Sequence, residues 1–154
     1  MKKIRLAALL ILCVLLFAAC GEKTPDYTCE TVADALKKAV PFPEMTQMTD
    51  KYIAKHLYLE GDEWTEAVMW CGQVGVQADT ILLIKAADDK KVQTVYEAAQ
   101  EYLNEMKEGY RDYQPGEMPK LEKAVLTKKN NTVLLLICED QTKAAPVLKQ
   151  YALN

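Results

Sequence analysis

One segment near the end of the chain constrains the fold more than any other. Residues 133–137 read VLLLI and are apolar at every position. A strand with one face in water alternates apolar and polar residues, whereas an unbroken apolar run is typical of a strand buried on both faces. We therefore expect an inner strand of a sheet whose second face is also covered, with the N-terminal helices supplying that cover.

Periodic apolar patterns predict the other elements. Helical spacing indicates helices over 28–40, after Thr49, over 92–110 and over 146–153, and short apolar runs indicate strands over 64–75, 80–86, 124–127 and 132–139. The predicted order is α-α-β-β-α-β-β-α. Because helices and strands do not alternate strictly, we expect an α+β domain with a mainly antiparallel four-stranded sheet and the long helix packed across it.

Capping and turn residues predict where these elements begin and end. Thr49 is placed as the N-cap of the second helix, and Asp88 or Asp89 as the cap of the longest one. Residues 110–119, YRDYQPGEMP, contain two prolines and a glycine and are expected to form a loop. Asn130-Asn131 suits a tight hairpin turn, and Pro146 suits the first turn of the last helix.

The N-terminus has the pattern of a secretory signal. Three basic residues within positions 2–5 precede an uncharged run over 6–20. These fifteen residues would span roughly 22 Å as a helix, which is short for a bilayer core of about 30 Å. A basic start, a short apolar run and two alanines before Cys20 predict a cleaved signal peptide.

The segment L-F-A-A-C resembles the lipobox of bacterial lipoproteins. In that family the cysteine receives a diacylglycerol and becomes the first residue of the mature chain, so the resemblance implies lipid attachment at Cys20. Two acyl chains hold a protein stably at a membrane. We expect a lipoprotein signal peptide over 1–19, a lipidated tether over 20–27 and one domain over 28–154. An ordinary signal peptide, or an uncleaved anchor with a chance cysteine, is the alternative.

Charge excludes one large class of partner. Residues 1–19 hold three basic and no acidic residues, so the net charge changes from −3 for the chain to −6 without them. Nucleic-acid binding normally requires a basic surface, and we expect none. Electrostatic attraction to anionic lipid is disfavoured for the same reason, so the diacylglycerol would be the contact with the membrane.

Three cysteines remain in the predicted domain: Cys29, Cys71 and Cys138. A Cys71–Cys138 disulfide with one free thiol is one interpretation, because both residues end apolar runs that look like strands. Three small buried apolar residues are the other, and the one favoured. No pair has C-x-x-C spacing and His56 is the only histidine, so we expect no metal site and no cofactor.

The expected loop offers the best candidate interaction surface. Tyr110, Arg111 and Tyr113 lie there, and tyrosine and arginine are enriched at recognition sites. The competing interpretation is that the tyrosine rings only close the helix end and pack on the core. No catalytic residue is predicted, since His56 has no partner and neither Cys71 nor Cys138 has an identifiable base.

From about Cys20 to its end, the chain resembles the bacterial lipoproteins grouped as domain of unknown function 4358. The resemblance rests on the lipobox and on three segments, GVQADTILLIKAADDKKVQTVYEAAQEYL, YRDYQPGEMPKLEKAVL and NNTVLLLICEDQTKA. The residues that match the second segment's pattern are Tyr113, Pro115, Leu121 and Glu122. Thr80 stands where a second acidic residue is common. The resemblance implies a membrane-anchored, extracytoplasmic location and no established activity.

These observations predict a function class without a specific ligand. We expect an extracytoplasmic lipoprotein of the cell membrane that acts as a binding or interaction module for a protein or small-molecule ligand. An accessory subunit of a membrane complex is the alternative, and a small extracytoplasmic enzyme is less favoured. A small-molecule binder would have a concave pocket, and a subunit would expose an apolar patch.

Overall fold

The computed structural model describes residues 26–154. The signal peptide, Cys20 and most of the predicted tether lie outside the described residues. In chain order the helices are α1 (Cys29–Ala39), α2 (Asp50–Leu57), α3 (Val92–Tyr113), α4 (Met118–Glu122) and α5 (Gln141–Gln150). The strands are β1 (Thr46–Gln47), β2 (Trp64–Cys71), β3 (Thr80–Ala86), β4 (Val125–Lys129) and β5 (Thr132–Ile137). The α+β class is confirmed.

The sheet has five strands in the described part of the chain, and the predicted number of four is wrong. Their order is β1-β2-β3-β5-β4, and all neighbours are antiparallel. The missed strand, β1, has only two residues and pairs with Trp70 and Cys71. Such a short edge strand has no periodic pattern of its own, because only its pairing with β2 defines it.

The sheet is covered on both faces, as the VLLLI run predicts. Helices α2 and α3 cover one face, where Leu82 and Leu135 are fully buried. Helices α1 and α5 cover the other face, where Leu83 and Leu134 are fully buried. Alternate residues of β5 therefore enter two separate cores. The second face of the sheet is covered by α1 and the C-terminal helix α5. The expectation that the N-terminal helices together would cover it is wrong, because α2 packs on the first face.

Side chains cap three of the helices. The Thr49 hydroxyl accepts a hydrogen bond from the Tyr52 amide at 3.2 Å, which confirms the predicted cap of α2. The prediction for α3 is wrong, because its N-cap, Lys91, makes no side-chain cap. Asp88 instead accepts the amides of Lys90 and Lys91 in the preceding turn.

Two proline-containing segments are more helical than predicted. Residues 110–113 are the last turn of α3, and the rest of the expected loop forms a 3-10 turn (Pro115–Glu117) and the start of α4. Both prolines lie in the first turn of a helical element, where a missing N–H costs nothing. Pro146 lies inside α5 instead, because the Asp140 side chain caps that helix five residues earlier than predicted.

Candidate functional site

A pocket of about 360 Å³ opens on the α2–α3 side of the sheet. Its walls come from α2, from α3 and from the β2–β3 connection, and its lining includes the imidazole of His56 and several tyrosine rings. The volume lies within the usual range for small-molecule sites. Within residues 26–154, four tyrosines line it: Tyr52, Tyr102, Tyr110 and Tyr113.

One face of α3 forms the longest wall of the pocket. The residues that α3 contributes are spaced by three or four positions: Tyr102, Glu105, Met106, Gly109, Tyr110 and Tyr113. Residues at this spacing lie one above another on a single helix face. The carboxylate of Glu105 and the rings of three tyrosines are thus held on one rigid element.

Gly109 leaves space in this wall. A Cβ atom built at Gly109 meets no heavy atom within 4 Å, although the residue lines the pocket. Glycine inside a helix destabilises it by roughly 0.5–1 kcal/mol relative to alanine. The absence of a side chain here therefore costs helix stability while it keeps the pocket open.

We expect Gly109→Ala to stabilise the protein by about 0.5–1 kcal/mol, because the helix gains propensity and the new methyl group meets no atom. Urea denaturation followed by circular dichroism would measure the change. An unchanged or lower free energy of unfolding would contradict an open wall at this position.

Buried hydroxyl and thiol groups form the floor of the pocket. Cys71, Thr80 and Tyr102 are all less than 10% exposed. Burial raises the pKa of Cys71 to about 11 and raises the pKa of Tyr102, with the Cys71 thiolate and Tyr52 as further causes for Tyr102. Burial also raises the pKa of Tyr52. The floor is uncharged at neutral pH, so Cys71 is a thiol rather than a nucleophilic thiolate.

The rim of the pocket carries the exposed apolar side chains. Val74 and Tyr113 line the pocket and are 58% and 83% exposed, and the exposed Val76 lies between the lining residues Gly75 and Gln77 on the β2–β3 connection. Tyr58, also exposed, donates a hydrogen bond from its hydroxyl to the carboxylate of Glu105 at 3.4 Å. These are the exposed large hydrophobic residues of the described chain, and all lie at or beside the pocket.

The structure separates the three residues of the predicted interaction surface. Tyr110 and Tyr113 line the pocket, whereas Arg111 is exposed on α3 and does not line it. Tyr110 is buried and donates a hydrogen bond to the Gln77 carbonyl at 2.7 Å, so it also joins α3 to the β2–β3 connection. Tyr52 also lines the pocket but was not among the predicted site residues, because the only feature of the nearby sequence that concerns it is its position in a predicted helix.

A buried ion cluster holds the segment next to the pocket floor. Asp79, 2% exposed, accepts a hydrogen bond from the Lys120 ammonium at 2.8 Å, and Glu117 accepts a second at 2.9 Å. Glu117 also accepts the amide of Ala78 at 2.8 Å. Burial lowers the pKa of Lys120, but its bonds to Asp79 and Glu117 outweigh burial and leave that pKa raised. The cluster ties α4 to the start of β3.

The three cysteines of the described chain are free and buried. Cys71 pairs with Thr80 on β3, and Thr80 pairs with Ile137 on β5, so a whole strand separates Cys71 from Cys138. Two strand spacings of about 4.8 Å exceed the reach of a disulfide. The two residues also belong to cores on opposite faces of the sheet. The Cys71–Cys138 disulfide considered from the sequence is therefore not formed.

We expect these thiols to resist alkylation in the native protein at pH 8. Burial raises their pKa values to about 12 for Cys29 and to about 11 for Cys71 and Cys138, and the thiolate is the reactive form. A maleimide pulse before and after unfolding, followed by peptide mass analysis, would report each cysteine separately. A linked Cys71–Cys138 peptide in an unreduced digest would contradict this arrangement.

A second concavity, of about 480 Å³, lies on the α1–α5 side and differs in charge. Lys37, Lys38 and Lys143 line it together with Trp70 and an apolar stretch over 39–43. The Lys37 ammonium lies 3.3 Å from the centre of the Trp70 ring and 2.9 Å from Asp34. This groove is basic, whereas the tyrosine-lined pocket contains no lysine or arginine among its lining residues.

Two structural features are absent from the part of the chain that the structure describes. Within 26–154, no group of three or more histidine, cysteine, aspartate or glutamate side chains is arranged to hold a metal ion. No helix in the same range combines the length and apolar character that crossing a membrane requires.

Comparison with known proteins identifies one family. The family model described as Domain of unknown function (DUF4358) matches residues 38–138. This range contains all five strands, α2, α3 and every residue that lines the tyrosine pocket. No curated protein and no solved structure matches the chain.

Proposed function

The chain belongs to the DUF4358 family, and on that premise we propose that it is a non-catalytic binding module, lipid-anchored at the extracytoplasmic face of the cell membrane. Its ligand is a small molecule, and the tyrosine pocket is the binding site. The single observation that carries this proposal is the pocket itself, with an aromatic α3 wall in which Gly109 leaves room for a ligand.

The anchor is supported by the sequence alone. A basic start, a short apolar run and two alanines precede a tether of eight residues that begins at Cys20. Eight extended residues reach at most about 28 Å, so a domain held through Cys20 stays close to the membrane surface. A ligand taken up there would come from the space outside the membrane.

A binding role rather than catalysis is supported by the chemistry of the pocket. Its one cysteine is protonated at neutral pH, and the groups that interact with the Cys71 thiol are the hydroxyls of Thr80 and Tyr102 rather than the imidazole of His56, which also lines the pocket. Nucleophilic catalysis requires a base beside the nucleophile, and a hydroxyl with a normal or raised pKa does not serve as one. The pocket can hold and orient a ligand through apolar contacts and hydrogen bonds.

Intact-mass analysis of protein extracted from its native membrane would test the anchor. We expect a chain beginning at Cys20 with an added diacylglycerol, and no such species from Cys20→Ala. An unmodified chain cut at another position, or an uncut chain, would overturn the lipoprotein part of the proposal.

Ligand-observed NMR with a small-molecule collection would test the pocket. Full-length chain in detergent would be compared with Gly109→Phe, which fills the pocket, and with Gly61→Phe, its matched control. A Cβ at either glycine meets no atom within 4 Å, so neither substitution clashes at its Cβ, and circular dichroism would check that both variants fold. Ligands that bind the original chain and Gly61→Phe but not Gly109→Phe would support the proposal. Binding unaffected by Gly109→Phe, or no binding by any compound, would overturn it.

An accessory subunit of a membrane complex is a second candidate, favoured by the apolar rim around Val74, Val76 and Tyr113. A photo-crosslinking residue at position 113, in native membranes, would distinguish the two roles. One protein captured from position 113, and not from exposed position 97 on α3, would favour this second candidate over small-molecule binding.

A further inference from the structure

We propose that the ligand of the tyrosine pocket is a small organic cation that carries a methylated ammonium group. This inference rests on the proposed binding function and specifies its ligand class. The pocket combines three features that such a cation requires: aromatic faces, one carboxylate and an uncharged floor.

The aromatic faces come from two helices. Three tyrosines lie on one face of α3, and Tyr52 of α2 also lines the pocket, where its ring stacks on His56 at a centroid distance of 4.0 Å. The face of an aromatic ring carries partial negative charge and attracts a cation within about 6 Å. Several rings around one cavity form the arrangement that recognises quaternary ammonium groups in proteins.

The charge of the lining is complementary to a cation. Glu105 is the one carboxylate in the lining, neither lysine nor arginine occurs there, and the imidazole of His56 is its one basic side chain. The Tyr58 hydroxyl donates to the Glu105 carboxylate at 3.4 Å. No salt bridge to Glu105 occurs within residues 26–154. A bound cation would therefore supply the charge partner that the protein does not.

The floor favours a weakly hydrated cation over other ligands. Cys71 and Tyr102 are buried and uncharged, so the floor offers no fixed charge to a strongly hydrated ion. An anion would meet Glu105 and the negative ring faces without any lysine or arginine. A primary ammonium is compact and strongly hydrated, whereas methyl groups spread the charge and contact apolar walls.

The basic groove on the opposite side of the sheet provides an internal contrast. That groove also contains two aromatic rings, Phe42 and Trp70, and the Lys37 ammonium lies over the Trp70 ring at 3.3 Å. None of the pocket tyrosines has a lysine over its ring. Of these two concavities, the tyrosine pocket is the one in which no lysine lies over a lining ring.

Isothermal titration calorimetry with three probes would test the proposal. Full-length chain in a maltoside detergent, which has no ammonium group, would be titrated with choline, its neutral isostere 3,3-dimethyl-1-butanol, and ethanolamine. We expect choline to bind about 5- to 30-fold more tightly than the neutral isostere, because only the charge differs. We expect ethanolamine to bind more weakly than choline.

Two variants connect this difference to named residues. We expect Glu105→Gln to weaken choline binding roughly 3- to 10-fold, since it removes the carboxylate and keeps the shape. Glu101→Gln, exposed one turn away on α3, is the matched control and should change nothing. Tyr113→Leu should also weaken choline binding without lowering stability, because the ring is 83% exposed.

The outcomes separate this inference from the proposed function. Equal or tighter binding of the neutral isostere would overturn the cation and leave a neutral ligand in the same pocket. Ethanolamine binding as tightly as choline would overturn the methylated group. Failure of all three probes, while other small molecules lose binding in Gly109→Phe, would refute the cation alone. Failure of every compound would refute both.

Discussion

Leu134→Ala and Leu135→Ala are each expected to lower the free energy of unfolding by about 2–5 kcal/mol. The two residues are neighbours on β5 and both are fully buried, but their side chains enter cores on opposite faces of the sheet. Each substitution leaves a cavity in a packed layer, so neither position should tolerate it. Urea denaturation followed by circular dichroism would measure both.

Val74→Ala is the matched control, because Val74 is 58% exposed and its truncation should cost less than about 0.5 kcal/mol. A sheet with only one packed face would make one of the two leucine substitutions as mild as this control. That result would contradict the three-layer arrangement of helices, sheet and helices.

Lys120→Ala is expected to destabilise the protein by about 2–4 kcal/mol, because it leaves the Asp79 carboxylate buried without its charge partner. The expected loss is smaller than for a fully buried ion pair, because the Lys120 side chain keeps some contact with water. Guanidinium or urea denaturation at neutral pH would measure the loss. Because Asp79 precedes the pocket-lining Thr80, the same variant should also lower the affinity of the tyrosine pocket for any ligand.

An exposed ion pair serves as the control for Lys120. Lys91 lies 3.5 Å from Asp62, whose side chain is 80% exposed, so Lys91→Ala should cost less than about 1 kcal/mol. Equal effects of Lys91→Ala and Lys120→Ala would show that the cluster at Asp79 contributes no more than a surface pair.

Much of the secondary structure could be predicted because its causes are local. The all-apolar run in β5 indicated burial on both faces, and the Thr49 hydroxyl reaches an amide only three residues away. Asn130 takes the left-handed conformation (φ 51°) in the two-residue turn between β4 and β5, as its residue type suggested. Each of these features depends on neighbours along the chain.

The candidate site could be predicted only in part. Tyr110 and Tyr113 were identified from their residue type, but the pocket also requires Tyr52 from α2 and Cys71 from β2. Nothing in the sequence near Tyr52 indicates that it meets α3. Gly109 looks like an ordinary weak point in a helix until the open space beside it is known.

The sequence by itself determined the types of the eight predicted elements, the residues at which most of them begin, the α+β class and the two-sided burial of β5, because these follow from periodicity and from capping over a few residues. The tertiary structure alone decided that β1 exists, that β3 separates Cys71 from Cys138, and that four tyrosines surround one pocket. The physical reason is that strand order and helix packing bring together residues that are dozens of positions apart. No local sequence pattern indicates which of these distant residues are in contact.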